Sequence, residues 1–320
     1  MANLAGHIIE RKDKLNEAQS ATALVALLSQ LARDVVADAG LSWSQVVHAV
    51  IGTPGILDEQ SERVLFSPNL PEWGKHGLLT ELRAAFGLSL SVENDANLAA
   101  LGERSFGWGN SASTFVFITI GTGVGMGIVI NGALYRGARG AAGEIGYLPL
   151  LLQYPEPDME RSLESSEKFD DSYFGMFEQA TSASGIVHLG QKLGMPASLT
   201  PKQIFDAAEQ GDSKALVVVE QEGYRLAQAV AAITAVLDPE LIVLGGRIGQ
   251  RGELLLPPLE RRLQRLTPLR PRIVVSKLGE DSVLLGSIAT ALEVAHNLVF
   301  QDYVNSNNGN ATSSMAPGQS

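Results

Sequence analysis

The sequence predicts an α/β protein of two domains. Strands alternate with helices up to residue 106, short strands joined by glycine turns begin at residue 115, and helix–strand alternation returns from residue 201. Alternation of that kind implies a largely parallel sheet. The length of 320 residues agrees, at ~150 residues per domain.

The elements follow in order. His7-Ile8-Ile9 after Gly6 reads as a turn and a strand. Ala21, Leu24, Leu28, Leu31 and Val35 recur at three- and four-residue steps, a helix that Gly40 stops. Val46 to Ile51 is a buried strand running into the loop Gly52-Thr53-Pro54-Gly55. Residues 78–86 form a short helix ended by Gly87, and Leu88 to Val92 the next strand. That strand empties into Glu93-Asn94-Asp95-Ala96-Asn97, and Leu98 to Phe106 is helical. Phe115 to Ile120 is a strand, Gly121 to Gly127 a glycine-rich turn, and Ile128 to Ile130 a second strand. Asn131-Gly132 is a hairpin turn leading to Ala133–Tyr135. The stretch 153–173, rich in Asp and Glu, reads as a solvated loop. Residues 201–236 are helical, and Asp238-Pro239 turns the chain into the strand Leu241–Leu244 and the turn Gly245-Gly246. A helix around 254–266, a strand at 272–276 and a long helix at 282–299 complete the fold. The Asn/Ser/Gly-rich tail from Asn305 is expected to be disordered.

Composition excludes several chemistries. With no cysteine there is no disulfide, thiolate nucleophile, iron–sulfur cluster or Cys-based zinc site. The five histidines (His7, His48, His76, His188, His296) show no metal-ligand spacing and read as structural or surface residues. Lys and Arg total 24 against 35 Asp and Glu, a net charge of −11 that repels nucleic acid and anionic membrane at long range. Uninterrupted apolar runs fall short of the ~20 residues that span a bilayer, and no leader opens the chain. The expected compartment is the cytoplasm, with no membrane partner.

Four segments could carry chemistry. Gly121-Thr122-Gly123-Val124-Gly125-Met126-Gly127 removes side chains so that backbone N–H groups can approach phosphate oxygens. It is neither a P-loop, for want of Lys-Ser/Thr and a following helix, nor a dinucleotide fingerprint, because Met126 breaks the spacing. A ligand-free hairpin fits the same spacing. Asn94 and Asp95 stand where a strand hands over to a helix, so Asp95 is either a general base or the helix N-cap. Glu144 in Gly140-Ala141-Ala142-Gly143-Glu144-Ile145-Gly146 is a carboxylate among glycines, suited to a polyol or simply exposed. Asn69 in Pro68-Asn69-Leu70-Pro71 is a sugar ligand or a turn former. Gly245-Gly246 allows close approach to an adenosine or a sharp exit from the sheet.

Together these segments resemble the ROK family of repressors, open reading frames and sugar kinases. The matching stretches are Gly52 to Gly55, Ser67 to Trp73, Glu93 to Asn97 with Ala100 to Glu103, Gly121 to Gly127, Gly137 to Gly146 and Leu237 to Gly246, in the family's order. The resemblance implies a two-domain actin-like ATPase (ribonuclease H-like) fold with a sugar in the cleft and ATP phosphates above it. It divides the chain into a smaller lobe at 1–106 plus 283–300, a larger lobe at 107–282 and a tail at 301–320. It implies Asp95 as catalytic base, Asn69, Asn94, Asp95, Glu144 and Tyr147 at the sugar, and Gly121, Thr122, Gly123, Gly125, Gly245 and Gly246 at the nucleotide.

Three departures shape the expected function. The family's D-x-G-x-T hairpin, which contacts phosphate and helps place Mg²⁺, would lie before Met1; Asp38-Ala39-Gly40-Leu41-Ser42 fits the pattern only at a helix end. The loss leaves the first domain's sheet short of strands, with an apolar, unpaired edge that predicts either poor solubility or a compensating homodimer contact. The histidine after Glu-Ile-Gly is Tyr147, and an acidic stretch replaces the C-x-C-G-x-x-G-C-x-E module, so no zinc is expected and the sugar ligand at that module's final Glu is unassigned. No segment here forms a helix-turn-helix. The expectation is a sugar-sensing effector portion of a transcriptional regulator, with little or no kinase activity and no cofactor required for sensing. The alternative is a Mg-ATP-dependent sugar kinase using Asp95.

Overall fold

The computed structural model describes residues 1–58, 60–67, 70, 72–150 and 175–313. The acidic stretch at 153–173, Pro68, Asn69 and Pro71 lie outside the described residues.

The first half is built from α1 (Ala21–Asp38), β1 (Ala49–Thr53), β2 (Ile56–Asp58), β3 (Arg63–Leu65), α2 (Leu78–Phe86), β4 (Leu90–Asn94) and α3 (Asp95–Phe106). Ser20 caps α1 by accepting from the Ala23 N–H, and Gly40 follows its end with φ +72°. Helix α2 falls on 78–86 as predicted, with Gly87 in the left-handed region at its end. The initial strand at 7–9 does not form: Ala2 and Ile8 make one isolated antiparallel bridge, closing a turn in which Asn3 Oδ1 accepts from the Ala5 and His7 N–H groups. β1 also begins later than Val46, after a 3₁₀ turn at Trp43–Gln45.

β1 and β4 pair in parallel from Ala49↔Leu90 to Thr53↔Asn94, a two-stranded sheet, and β2–β3 form a separate small hairpin. No further strand pairs with β1 among the described residues. The apolar residues of this sheet, Val50, Ile51, Leu90 and Val92, are only half-buried. Behind them Ala21, Leu24, Val25, Leu78, Leu79, Leu82 and Trp73 form the local core. Trp73 is fixed by donating from Nε1 to Thr53 Oγ1 at 2.7 Å, which ties the 72–77 segment to the end of β1.

The second half contains β5 (Phe115–Ile120), β6 (Val124–Ile130), β7 (Ala133–Leu134), α4 (Met176–Thr181), α5 (Ala183–Lys192), α6 (Pro201–Glu209), α7 (Ser213–Leu237), β8 (Leu241–Gly245), α8 (Gly246–Gly249), α9 (Gly252–Leu266), β9 (Arg272–Val275) and α10 (Ser282–Ser313). Its five-stranded sheet runs β7-β6-β5-β8-β9. β5, β6 and β7 form the antiparallel meander, turned at Asn131 (φ +52°) and Gly132 (φ +73°), while β8 and β9 join in parallel. A strand covered on both faces reads as an unbroken apolar run, which is why Phe115–Ile120 was legible to the residue. Helix α10 is assigned through Ser313, past the Asn305 at which composition predicted disorder.

Helices α3 and α10 cross at a backbone-to-backbone contact: a Cβ on Gly286 would stand 1.7 Å from the Leu98 carbonyl oxygen, and one on Gly102 would stand 2.3 Å from that of Ser282. This crossing holds α3, whose first residue is Asp95, between the two sheets. The stretch Gly279–Gln301, which runs from the turn before α10 into that helix, is long and apolar enough to cross a membrane by length and composition. Its apolar residues are interrupted by Glu280, Asp281, Glu293 and His296, and α10 lies along α3.

Candidate functional site

The site is built at the N-terminus of α3. A helix start leaves orphan N–H groups, and Asn94 supplies their acceptor: its Oδ1 takes the Ala96 N–H at 2.9 Å and the Asn97 N–H at 3.2 Å. Its amide donates to the Gly55 carbonyl at 3.0 Å, pinning the β1–β2 loop. Capping therefore falls to Asn94, and Asp95 occupies the first helical position with its carboxylate accepting the Ala96 N–H at 2.8 Å. Burial pushes the Asp95 carboxyl up to about 6, against the opposing pull of that hydrogen bond.

Glu144 approaches from the second sheet. Met126 in β6 donates its N–H to the Gly143 carbonyl at 3.0 Å, and Gly143, at φ +100°, makes the sharp turn that a side chain would obstruct. Burial raises Glu144 to about 7, with the charges of Glu178 and then Asp95 pushing the same way. Glu178, in α4, is the third acid. Burial raises it too, offset in part by a hydrogen bond from the Val124 N–H. Its carboxylate is nested between two glycines: a Cβ on Gly123 would lie 2.6 Å from Glu178 Oε1, and one on Gly146 would lie 3.2 Å from Oε2.

Sequence reasoning missed Glu178. Gly175-Met176-Phe177-Glu178 keeps the glycine and the glutamate of the G-C-x-E ending, with methionine in place of cysteine. Searching for the cysteines hid that register. Tyr147 is placed beside these acids by the short turn Ile145–Tyr147, and its ring meets Phe66 edge-on at 5.9 Å. Asn69 lies outside the described residues.

The glycines expected at a nucleotide have other neighbours. The predicted turn at 121–127 is confined to 121–123, because β6 already begins at Val124. Gly125 and Gly127 sit in that strand against α3: a Cβ on Gly127 would lie 2.4 Å from the Ala96 carbonyl oxygen, and one on Gly125 would lie 3.2 Å from Ala96 Cβ. Within the turn the Gly121 N–H is directed back to the Gly123 carbonyl, while Thr122 is exposed. Gly245 packs on the Phe117 ring, and Gly246, at φ +74°, lies against the backbone of Ile120. Close packing accounts for why these positions are glycine, and the exposed Thr122 marks the open turn at 121–123 where a phosphate could approach. Among the described residues, no three His, Asp or Glu side chains converge on a metal position.

Three acids held in a partly dry recess accept hydrogen bonds from neutral hydroxyl donors and reject anions. Asp95 and Glu144, titrating near neutrality, can also take up a proton.

The ROK family model matches residues 2–294. A glucokinase from Thermotoga maritima is 34% identical over 260 residues, covering 76% of this chain and 78% of the relative. A xylose repressor from Caldicellulosiruptor bescii is 27% identical over 320 residues, covering 95% of this chain and 76% of the repressor. Among solved structures, a ROK family glucokinase from Streptomyces griseus in complex with glucose and AMPPNP superposes with a TM-score of 0.73 at 26% identity, covering 92% of this chain and 94% of that one. A ROK family transcriptional regulator, a homolog of the E. coli MLC protein, superposes with a TM-score of 0.75 at 25% identity, covering 93% of this chain and 76% of that one. The chain belongs to the ROK family and has the actin-like ATPase fold its members share.

Proposed function

We propose that this chain is a carbohydrate-binding ROK protein, the sugar-sensing effector portion of a transcriptional regulator, in which Asp95, Glu144 and Glu178 grip a neutral aldose. The observation that carries this reading is that half-buried Glu144 feels the charges of both Glu178 and Asp95, so acids from the 136–144 loop, α4 and the start of α3 stand near one another. Tyr147 is tied to Glu144 by its N–H, which donates to the Glu144 carbonyl at 3.2 Å, and Asn94 shapes the site through the cap and the Gly55 bond. We place the lobes at 1–106 plus 283–300 and at 107–282. Phosphoryl transfer depends on positioned phosphate contacts, and one missing preorganised donor costs about 3–4 kcal/mol. The departures from the family's phosphate hairpin noted in the sequence, set beside three acids close to one another, favour the sensing reading.

A second reading, an ATP-dependent sugar kinase, is favoured by Asp95 itself. Freed from capping and raised to about 6, it is suited to accept a hydroxyl proton, and the glucokinase relatives point the same way. Thermal shift against neutral aldoses, with and without Mg-ATP, separates the two. Sensing predicts a saturable rise in Tm with sugar, about 2.7 kcal/mol of stabilisation at a hundred times Kd, and no phosphorylated product. The rise should vanish in Glu178→Gln. Sugar-dependent ATP turnover abolished by Asp95→Asn, with binding retained, would establish the kinase instead.

A further inference from the structure

The β4–α3 junction that carries Asp95 and the loop that carries Glu144 belong to different sheets, and one ion pair joins them directly. Glu93, the residue before Asn94, is 8% exposed. Its Oε1 accepts from the Asn94 N–H and from Asn97 Nδ2, both at 2.9 Å. Its Oε2 accepts from Arg136 Nε at 2.8 Å and Nη2 at 2.7 Å. Arg136 opens the loop that ends at Glu144. Its carbonyl accepts the Ala142 N–H at 3.1 Å, closing 136–142 into a compact unit. A Cβ on Gly140 would stand 3.1 Å from the Leu57 carbonyl oxygen, so the same loop leans on β2.

We infer that Arg136 is a positioning residue for the acidic recess: its guanidinium latches the Glu144 loop to the β4–α3 junction and thereby sets the spacing between Glu144 and Asp95. The inference rests on reading that recess as the sugar site. Arg136 is half exposed and touches none of the three acids, so its effect on a bound sugar passes through Glu93 and the loop. The geometry needs a guanidinium, since Nε and Nη2 together straddle one carboxylate oxygen, and a lysine offers a single point of attachment.

The test is sugar affinity in Arg136→Ala, Arg136→Lys and Glu144→Gln, with hydrogen exchange on the same proteins. Arg136→Ala should weaken binding about tenfold to a hundredfold, the scale of an ångström-sized misplacement. Added ethylguanidinium should restore much of that loss, whereas Arg136→Lys should restore little. Amides at Met126, Ala142 and Ile145 should exchange at least several-fold faster in Arg136→Ala, with β8 unchanged. Wild-type affinity in Arg136→Ala, beside lost binding in Glu144→Gln, would overturn the latch and leave the sugar site standing. Normal binding in Glu144→Gln, or no sugar binding by the wild type, would remove the sugar reading, and exchange then decides alone. Unchanged exchange at 126, 142 and 145, or an equal rise in β8, sinks the latch.

Discussion

The two parallel strand pairs make an instructive contrast. In β8, all five residues of Leu241-Ile242-Val243-Leu244-Gly245 are buried, flanked by β5 and β9 and covered on both faces. In β1 and β4, Val50, Ile51, Leu90 and Val92 are only partly buried, and β1 has β4 as its single strand partner among the described residues. Burial per residue is what converts an apolar run into stability. The molecule therefore has one firm sheet and one thin one, and the recess lies on their seam. Glu144 is anchored to the firm side through Met126, while Asp95 is the continuation of the thin side.

The largest effect that can break this contrast is a matched pair of truncations. Leu244→Ala, at a fully buried centre, should cost about 2–5 kcal/mol by transfer and cavity terms together. Ile51→Ala should cost less, about 1–2 kcal/mol, because Ile51 is only partly buried. Urea unfolding read separately from tryptophan fluorescence and far-UV circular dichroism measures both. Equal costs would mean that β1 is covered by something beyond the contacts described.

A smaller effect tests what the glycines are for. In Gly127→Ala the added methyl meets the Ala96 carbonyl and Ala100 Cβ, backbone and core that resist displacement. The expected cost is about 1–3 kcal/mol. Because α3 must back away from β6, sugar affinity should fall with it. Gly121→Ala meets nothing within 4 Å and should change stability by under ~0.5 kcal/mol. Its effect on nucleotide binding is the clean measure of whether the 121–123 turn still serves a phosphate. If Gly127→Ala is neutral in melting and in affinity, the close packing of α3 on β6 is not what positions Asp95.

These two experiments also mark what was legible in the chain. Phe115–Ile120 and Leu78–Phe86 were readable because burial on both faces and a left-handed glycine stop are local signals. The 121–127 cluster was readable as a close backbone approach, yet spacing alone does not say whether the approaching body is a phosphate or helix α3. Asp95 and Asn94 were both visible at the strand–helix junction, but which of them caps depends on side-chain rotamers. Glu178 was hidden for a different reason: its partners Gly123 and Gly146 are distant in sequence, and the cysteines that usually flag its segment are absent. The strand expected at 7–9 failed because apolar residues without a neighbouring strand have no ladder to join.

The last predicted effect concerns charge at the seam. The carboxyls of Asp95 and Glu144 ordinarily titrate near 3.8 and 4.5, and in the folded protein at about 6 and 7. Between roughly pH 4 and 7 these two groups therefore hold more protons in the folded state than in the unfolded chain, so their contribution to stability declines as pH rises through that window, and buried Glu222, raised to about 8, extends the decline beyond it. Glu144→Gln removes the group most penalised by burial and by its acidic neighbours. It should raise the sugar-free melting temperature at pH 8 by about 2–4 °C, with the gap closing as pH falls below about 4.5. The same variant should bind sugar poorly, since the recess trades stability for hydrogen-bonding capacity. A lower melting temperature at pH 8 would mean that the carboxylate is stabilised in the fold by a cationic partner, and the seam would then be a conventional ion-paired joint rather than a site held ready for hydroxyl donors.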